Sequence, residues 1–269
     1  MSALRAWLGL GVTLLVLGAA LAAPWIARED PYRSDFAQML KPPGTPGHPF
    51  GTDQLGRDLY ARVLHGARLA LFIGAVTVIV TAVVGGLLGL VAGFVERWPS
   101  TVLMRIADVQ LSFPFILLAM TINAIVGLGL RNIILSLSAA GWVVYARVVR
   151  GEVLSVKQRD YVHAAAALGV GRMRLLFRHV LPNVAPSIIV VASLQFSQFV
   201  VAEAAISFLG FGVQPPTPAW GSMLSESRDF LYVAWWLAAF PGAALALTAL
   251  GVNLLGDWLR DTLDPKLRV

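Results

Sequence analysis

Long runs without a charged side chain are the feature that most constrains how this chain can fold. The run Leu69–Val95 contains no Asp, Glu, Lys or Arg, and about 20 apolar residues are enough to cross the hydrocarbon core of a bilayer as a helix. Similar runs recur along the chain, so we predict an all-α membrane protein with six transmembrane helices. The predicted spans are residues 6–27, 69–95, 106–130, 133–150, 186–208 and 230–256.

The composition agrees with a membrane protein. Hydrophobic residues make up 57% of the chain and charged residues 13%, whereas about 25% of the residues in a typical soluble domain are charged. The net charge of +6 comes mostly from Lys and Arg beside the apolar runs, where such residues set orientation and meet lipid headgroups. We therefore expect contact with membrane lipid and no nucleic-acid binding. The chain has no Cys and no metal-ligand spacing of His, so we expect no bound metal.

The first apolar run, Ala6–Ala27, has two interpretations. Arg5, the apolar centre and Ala20-Leu21-Ala22 imitate the three regions of a secretory signal peptide. The run is longer than the usual signal-peptide core of about 7–15 residues, which favours a retained anchor helix. Residues 1–27 are thus predicted to form the cytoplasmic N-terminal end and the first span.

Residues 28–68 form a polar segment between the first two spans. Five prolines between residues 28 and 49 rule out a continuous helix up to about Thr52, because Pro lacks the backbone N–H that a helix interior needs. Thr52 or Asp53 is suited to cap a helix running to His65. We predict an extracytoplasmic loop that contains this interfacial helix.

Basic residues predict the orientation of the spans. From Arg147 to Arg178 there are seven Lys and Arg against two acidic residues, and Arg260, Lys266 and Arg268 follow the last span. Lys and Arg concentrate in cytoplasmic loops. The loop 151–182 and both termini are therefore predicted to be cytoplasmic.

That central loop has the layout of a docking surface. Lys157–Pro182 contains an Ala-rich helical run, Tyr161–Leu168, then the break Gly169-x-Gly171 and a second short basic helix that ends before Pro182. Gly and Pro end helices, through backbone freedom and a missing donor respectively. We predict two short helices at a fixed angle.

Two features within the predicted spans stand out. Gly85, Gly89 and Gly93 recur every four residues on one helical face, a spacing of small residues that lets a neighbouring helix approach closely. Glu203 is the clearest ionisable residue in the middle of a span. Such a residue either serves the transport pathway or bonds structurally to a neighbouring helix, and both interpretations remain open.

Several catalytic motifs are absent from the sequence. No Gly-Lys pair exists, so there is no P-loop for ATP, and there is no G-x-S-x-G elbow and no pair of carboxylates within a span. We expect no catalytic residues and no enzyme activity. If the chain moves a solute actively, the energy must then come from another subunit.

The central loop resembles the EAA signature of permease subunits in bacterial ABC importers. That signature is Glu-Ala-Ala, three residues, Gly, nine residues, Ile, one residue and Leu-Pro. In this chain it falls on His163-Ala164-Ala165, Gly169, His179 and Leu181-Pro182. The spacing is kept, while His163 replaces the Glu and His179 replaces the Ile.

More specifically, the chain resembles the C-type permease of the dipeptide, oligopeptide and nickel importers. The matching stretches are Phe50–Asp58, Tyr145–Ser155, Arg178–Asn183, Ala202–Gly221 and Asn253–Pro265. The resemblance implies the type I ABC importer permease fold in a bacterial inner membrane, with residues 69–269 as the permease core and cytoplasmic coupling helices between spans four and five.

The resemblance also implies partners. These are a B-type permease in a heterodimer, two cytoplasmic ATPase subunits that bind ATP and Mg, and an extracytoplasmic solute-binding protein; this chain itself would bind no cofactor. The implied ATPase-docking residues are Tyr161, His163, Ala164, Ala165, Leu168, Gly169 and Arg172. Tyr161 and Leu168 have the alternative of packing back onto the bundle. His163 either alters pairing with the ATPase and adds pH sensitivity, or is a tolerated exposed side chain.

The implied solute is a di- or oligopeptide, with a nickel chelate or glutathione as the alternative for the same type of importer. A stand-alone secondary transporter, or a structural or sensory subunit, represents the other functional classes. A secondary transporter would be expected to carry more ionisable residues inside its spans than this chain does.

Overall fold

The structure is a computed structural model that describes residues 2–95 and 98–263. The regular elements of this part of the chain are helices. They are α1 (Ser2–Ile26), α2 (Leu59–Phe94), α3 (Trp98–Leu111), α4 (Phe115–Val126), α5 (Leu130–Lys157), α6 (Asp160–Ala167), α7 (Arg172–Leu175), α8 (Leu181–Phe208), α9 (Trp220–Glu226) and α10 (Trp236–Leu263). Five of the described helical segments are long and apolar enough to cross a membrane, and the bent pair α3–α4 gives a sixth crossing if the two count as one span.

Close contacts between helices define the bundle. α2 and α5 run parallel, since Gly85 contacts Trp142 and Gly93 contacts Val153. α8 packs antiparallel to α2, and α10 packs antiparallel to α1, where Gly251 contacts Val12. The bundle therefore has two ends. We name them the proline-loop end, with residues 27–58, 127–129 and 209–235, and the central-loop end, with residues 158–171 and the start of α1.

The second span and the interfacial helix are one helix. We predicted a helix capped by Thr52 or Asp53 that ends at His65, and this is wrong. Asp58 is the N-cap, its carboxylate accepts from the N–H of Ala61 at 2.7 Å, and α2 continues without a break to Phe94. No Pro lies between Asp58 and Phe94, and a Gly inside a helix costs only about 1 kcal/mol, so nothing ends the helix at His65.

The third predicted span, residues 106–130, is not a continuous helix. α3 starts earlier, at Trp98, and ends at Leu111; α4 starts at Phe115, and the two helices are bent by 95°. Pro114 precedes the first residue of α4. The missing N–H of Pro and its steric effect on the residue before it explain why the helix breaks there.

The predicted second short helix of the central loop is not separate from span five. α7 passes through a π-helical turn, Leu176–Val180, directly into α8, so the helical segment runs from Arg172 to Phe208. The N–H of Leu181 bonds to the carbonyl of Leu176. This wider turn accommodates Pro182, which has no N–H to offer to a regular α-helical ladder.

The end of the fourth predicted span and the start of the sixth also differ from the structure. α5 extends beyond the predicted residue 150 to Lys157, so the part of the central loop outside the long helices is residues 158–171. α10 begins at Trp236, after a 3₁₀ turn at Arg228–Phe230, and not at residue 230. The predicted order of the spans is therefore correct, and their number is correct if the bent pair α3–α4 counts as one span, whereas several boundaries differ.

Candidate functional site

The central loop turns sharply after α6. Gly169 has a φ of +82°, a conformation that favours Gly because it has no Cβ. The N–H of Leu168 bonds to the carbonyl of Ala164 at 3.0 Å, and the N–H of Val170 bonds to the carbonyl of Ala165 at 3.2 Å. These bonds satisfy carbonyls at the end of α6 in the way of a glycine C-cap. The turn thus has a defined geometry rather than that of a flexible linker.

One face of α6 is anchored to the long helices. Val162 is 3% exposed and belongs to an apolar cluster with Val156 of α5 and Leu175, at the end of α7. Val180 and Val184 of the α7–α8 segment lie in the same cluster, and Ala165 packs against it. A displacement of α6 must therefore carry the ends of α5 and α8 with it, because closely packed cores transmit strain.

The opposite face of the loop is exposed. Leu168 is 86% exposed, so it does not pack back onto the bundle, and Tyr161 is 41% exposed. His163 and Ala164 are exposed as well. The nearby apolar side chains Met173 and Phe177 are 66% and 50% exposed.

We call the exposed side chains Tyr161, Leu168, Met173 and Phe177 the apolar end patch. Two exposed basic residues, Arg172 and Arg174, lie beside it. An apolar patch rimmed by charge is typical of a protein-interaction site. Of the seven predicted docking residues, six are exposed and only Ala165 is partly buried.

Polar contacts tie the base of this loop to α2 and α3. The Lys157 ammonium lies 5.5 Å from the centre of the Phe94 ring and donates to the Phe94 carbonyl at 3.3 Å. The Ser100 hydroxyl donates to the Ala92 carbonyl at 2.6 Å and accepts from Nε of Arg150 at 3.3 Å. The end of α5 is therefore fixed against the α2–α3 connection.

The three glycines singled out in the sequence lie on the contact between α2 and α5. A Cβ on Gly89 would come within 2.6 Å of the Ala146 carbonyl, and one on Gly93 within 2.6 Å of the Val153 Cβ. Gly85 lies against the Trp142 carbonyl. Any larger side chain would push the two helices apart.

Glu203 lies inside α8 and is 1% exposed. Its carboxylate accepts from the Ser207 hydroxyl at 2.6 Å, and the Ser207 oxygen accepts from the N–H of Val213 at 3.3 Å. This chain of bonds connects α8 to the turn that follows it. Of the two interpretations of Glu203, the geometry favours the structural one.

Sequence reasoning missed a buried charged network at the proline-loop end. Asp53 accepts from Nε of Arg57 at 2.6 Å, and Nε of Arg62 lies 3.4 Å from the same carboxylate. Glu226 of α9 lies 3.0 Å from Arg57 and 4.0 Å from Arg62. Two positive and two negative charges thus compensate one another. The only signal in the sequence was the spacing of Asp53 and Arg57, which are four residues apart.

Two tryptophans reinforce this end. The indole N–H of Trp220 donates to the Val63 carbonyl at 3.0 Å, and that of Trp236 donates to the Thr52 carbonyl at 3.2 Å. Both rings are at most 6% exposed. The loop 28–58, the start of α2, α9 and the start of α10 therefore form one packed unit.

A comparison with known families matches residues 85–269 to the family described as binding-protein-dependent transport system inner membrane component. The match covers α3 to α10 and most of the second half of α2. It includes the central loop and its exposed face.

Over nearly its whole length, the chain is also similar to permease subunits of peptide and glutathione transport systems. It is 44% identical over 265 residues to the di/tripeptide transport system permease protein DppC of Pseudomonas aeruginosa, covering 97% of this chain and 88% of the relative. It is 40% identical over 269 residues to the glutathione transport system permease protein GsiD of Pectobacterium atrosepticum, covering 98% and 89%. It is 40% identical over 255 residues to the probable D,D-dipeptide transport system permease protein DdpC of Escherichia coli, covering 95% and 85%.

Proposed function

Because this chain belongs to the binding-protein-dependent transport system inner membrane components and is a C-type permease subunit of an ABC importer, we propose that it forms half of a transmembrane pathway for short peptides. A B-type permease supplies the other half in a heterodimer. The observation that carries this proposal is the central loop, which presents an exposed apolar face while its other face is packed onto two long helices.

The apolar end patch docks into a cleft of a cytoplasmic ATPase subunit. Leu168 supplies the largest apolar contact, and the small side chain of Ala164 allows close approach. Arg172 and Arg174 steer the encounter toward an acidic rim, since complementary charge raises association rates. ATP and Mg bind in the ATPase subunits, and this chain binds neither.

Docking of a cytoplasmic ATPase at the central loop determines how the bundle is oriented across the membrane. The central-loop end faces the cytoplasm, in agreement with its excess of Lys and Arg, and the first described residue of α1 lies at the same end. The proline-loop end then faces the extracytoplasmic side, where a solute-binding protein delivers the peptide.

Transport proceeds by alternating access. Closure of the two ATPase subunits on ATP moves α6 in each permease, and the cluster around Val162 transfers that movement to α5 and α8. The pathway between the permeases opens outward to accept solute and reopens inward after hydrolysis. A rigid turn at Gly169 suits this task, because a flexible linker would absorb the displacement.

Peptide is the solute class that the similar permeases share. Those cited above are named for di- and tripeptides, D,D-dipeptides and glutathione, all short molecules with amide bonds. Glutathione is the second candidate, on the strength of the 40% identity to a glutathione permease. The binding protein selects among such solutes.

The test is uptake by the complete importer in liposomes. The complex of both permeases and both ATPases is reconstituted with its solute-binding protein, and the uptake of a labelled dipeptide and of labelled glutathione is measured with and without ATP. ATP-dependent uptake of one of them that requires the binding protein supports the proposal. Uptake driven by an ion gradient without ATPase subunits would instead identify a secondary transporter.

A further inference from the structure

The break between α3 and α4 lies at mid-depth of the bundle and is exposed. The side-chain amide of Gln110, one residue before the end of α3, donates to the carbonyls of Ala139 and Ala140 at 3.1 and 2.8 Å. Those carbonyls belong to the middle part of α5. The residues of the break, from Leu111 to Pro114, are all exposed, and α4 begins without a side-chain cap.

Lipid is a poor cover for such a break. Backbone groups that leave the helical ladder cannot find hydrogen-bond partners in hydrocarbon, so irregular backbone at membrane depth occurs where protein or water covers it. The exposed break therefore marks a face of the bundle that does not border lipid.

Polar side chains on the spans mark the same face. Asp108 of α3 pairs with Arg147 of α5, and their side chains are 48% and 46% exposed. Gln198 of α8 and Asn253 of α10 are exposed. Polar groups at membrane depth are costly and normally face a protein interior or a water-filled cavity.

Gln198 and Asn253 line one cavity together with the start of α4. This cavity has a volume of about 550 Å³ and is lined by Pro114, Phe115, Ile116, Leu194, Ser197, Gln198, Val201, Ala202, Ala249 and Asn253. The Phe199 ring, whose centre lies 6.0 Å from that of Phe115, packs against Gly141 of α5. The break, the cavity and the middle of α5 are therefore neighbours on one side of the molecule.

The outer surface of α2 has a different character. The exposed residues of α2 between Leu71 and Phe94 are all apolar; they are Phe72, Ile79, Val83, Val84, Leu87 and Val91. Ile79 is 61% exposed. Ile79 and Gln198 lie at similar depths in the bundle. Thr81, close to Ile79 in α2, and Phe199, next to Gln198 in α8, both contact Gly141 of α5. A surface of this kind is suited to lipid.

We propose that the cavity beside the α3–α4 break is a segment of the water-filled solute pathway, in which Gln198 and Asn253 hydrogen-bond the main-chain amides of the passing peptide. The identity of the solute rests on the proposed function. Each amide side chain offers both donors and an acceptor, so it matches the N–H and C=O of a peptide bond whatever the peptide's side chains are. Within the described residues, neither side chain forms a hydrogen bond that would have to break first.

The lining also suits passage rather than retention. Apart from Ser197, Gln198 and Asn253, the residues that line the cavity are apolar, and no Asp, Glu, Lys or Arg is among them. Neutral hydrogen bonds that replace hydration contribute little net free energy, about 0.5–1.5 kcal/mol each. A peptide is thus recognised by its backbone without being trapped by charge.

Accessibility to a water-soluble thiol reagent tests the pathway itself. The natural chain has no Cys, so Gln198→Cys or Asn253→Cys places a single thiol in it. Ile79→Cys is the matched control on the apolar surface. The variants are assembled into the complete importer in membranes and treated with a charged methanethiosulfonate, with and without ATP, and modification is measured by the mass of this chain.

We expect the thiols at positions 198 and 253 to react at least about tenfold faster than the one at 79 in one nucleotide state, because the reactive thiolate forms in water and not in lipid. A dipeptide and its binding protein should slow the reaction. Modification as slow as at position 79 in both states would mean that the second permease packs tightly here, and would overturn the proposal.

Transport kinetics test the amide contacts. Gln198→Leu and Asn253→Leu keep a similar side-chain volume but lose the hydrogen bonds. Each should raise the KM for dipeptide uptake about three- to tenfold, which is the effect of losing one neutral hydrogen bond. Gln198→Asn should recover part of the loss, and the yield of each complex is measured in parallel to separate the contact from assembly. An unaltered KM in both Leu variants would refute the contact.

The two proposals fail in different ways. If the wild-type importer carries dipeptide but positions 198 and 253 remain unlabelled, the pathway inference is wrong and the proposed function stands. If those positions are labelled in an ATP-dependent manner but neither dipeptide nor glutathione is carried, the pathway stands and the proposed solute class is wrong.

Discussion

Nη2 of Arg57 donates to Oε2 of Glu226 at 3.0 Å, which joins two segments that are 169 positions apart in the sequence. Arg57 is 3% exposed and also holds Asp53 at 2.6 Å. The loop before α2 and the helix before α10 are therefore locked together by one guanidinium. At the opposite end of the molecule, the central loop joins α5 to α8. Each end of the bundle thus contains a rigid connector, and the long helices run between them.

Arg57→Met should loosen the proline-loop end. The substitution leaves the buried carboxylate of Asp53 without its nearest partner, and removing one partner of a buried ion pair typically costs about 3–5 kcal/mol. Arg62 remains nearby and Glu226 is partly solvated, so we expect the lower part of that range. The Tm of the purified complex in detergent should fall, and stimulation of ATP hydrolysis by the binding protein should weaken.

Arg33→Met is the control for this prediction. Arg33 lies in the same loop and is exposed, so its removal should leave the Tm and the stimulation unchanged. Equal effects of the two substitutions, or no effect of either, would show that the buried network does not stabilise this end.

Gly89→Ala should weaken the packing of α2 on α5. The new Cβ would lie 2.6 Å from the Ala146 carbonyl, a backbone atom that cannot rotate away, and 2.8 Å from the Val149 Cβ. Overpacking of this kind typically costs about 1–3 kcal/mol. The measurement is the yield and Tm of the assembled complex, both of which should decrease.

Gly86→Ala is a neighbouring substitution that should be tolerated. A Cβ at Gly86 would meet only the Ile188 Cδ1 at 3.9 Å, which is ordinary van der Waals contact. Since Ala has the higher helix propensity, the Tm should stay the same or rise. If Gly89→Ala behaves in the same way as Gly86→Ala, close approach of the two helices does not explain the glycine spacing.

The sequence predicted the features that are decided locally, by contact with lipid and by residues close together in the chain. Charge-free runs predicted the five long crossing helices and their order, because a helix is the structure that satisfies its own backbone in hydrocarbon. The glycine face followed from spacing, whereas the docking residues of the loop were implied by the resemblance to the EAA signature. Pro114 was visible, but an apolar run with one Pro is also compatible with a kinked continuous span. The break is fixed in addition by tertiary contacts such as those of Gln110 with α5.

Contacts between distant segments were beyond the reach of a single sequence. Nothing near Arg57 points to Glu226, and nothing near Gln198 indicates that Asn253 lines the same cavity. The cap of α2 was misplaced for a different reason, since Thr52, Asp53 and Asp58 are all good N-cap residues. The bonds of the proline loop decide among them: Thr52 and Asp53 bond to that loop, which leaves Asp58 to cap the helix.

Gly169→Ala should uncouple ATP hydrolysis from transport. Gly169 has a φ of +82°, and an L-residue in a left-handed conformation costs about 1–2 kcal/mol. The turn after α6 would relax toward another geometry and change the angle at which the apolar end patch is presented. We expect the complex to reach the membrane and to hydrolyse ATP, while the amount of peptide carried per ATP falls.

Gly171→Ala provides the control two residues away. Gly171 has a φ of −61°, is exposed, and a Cβ there would have no neighbour within 4 Å. Coupling should be normal in this variant. Normal coupling in Gly169→Ala and in the bulkier Gly169→Trp would show that the shape of this turn does not transmit movement.

Leu168→Ala should weaken docking of the ATPase without affecting the fold of this chain. Leu168 is 86% exposed, so its side chain contributes almost no burial to the permease alone, and its loss should not change the Tm of the isolated permease pair. If the residue is buried in an ATPase cleft, truncation to Ala removes apolar contact worth about 1–3 kcal/mol, which raises the Kd of the ATPase about 5- to 150-fold. Leu128, 47% exposed at the proline-loop end, supplies the matched control, and Leu128→Ala should leave this Kd unchanged. The measurement is titration of the permease pair in nanodiscs with purified ATPase subunits. An unchanged Kd for Leu168→Ala would place the docking contact elsewhere on the central loop, with Met173 and Phe177 as the next residues to truncate.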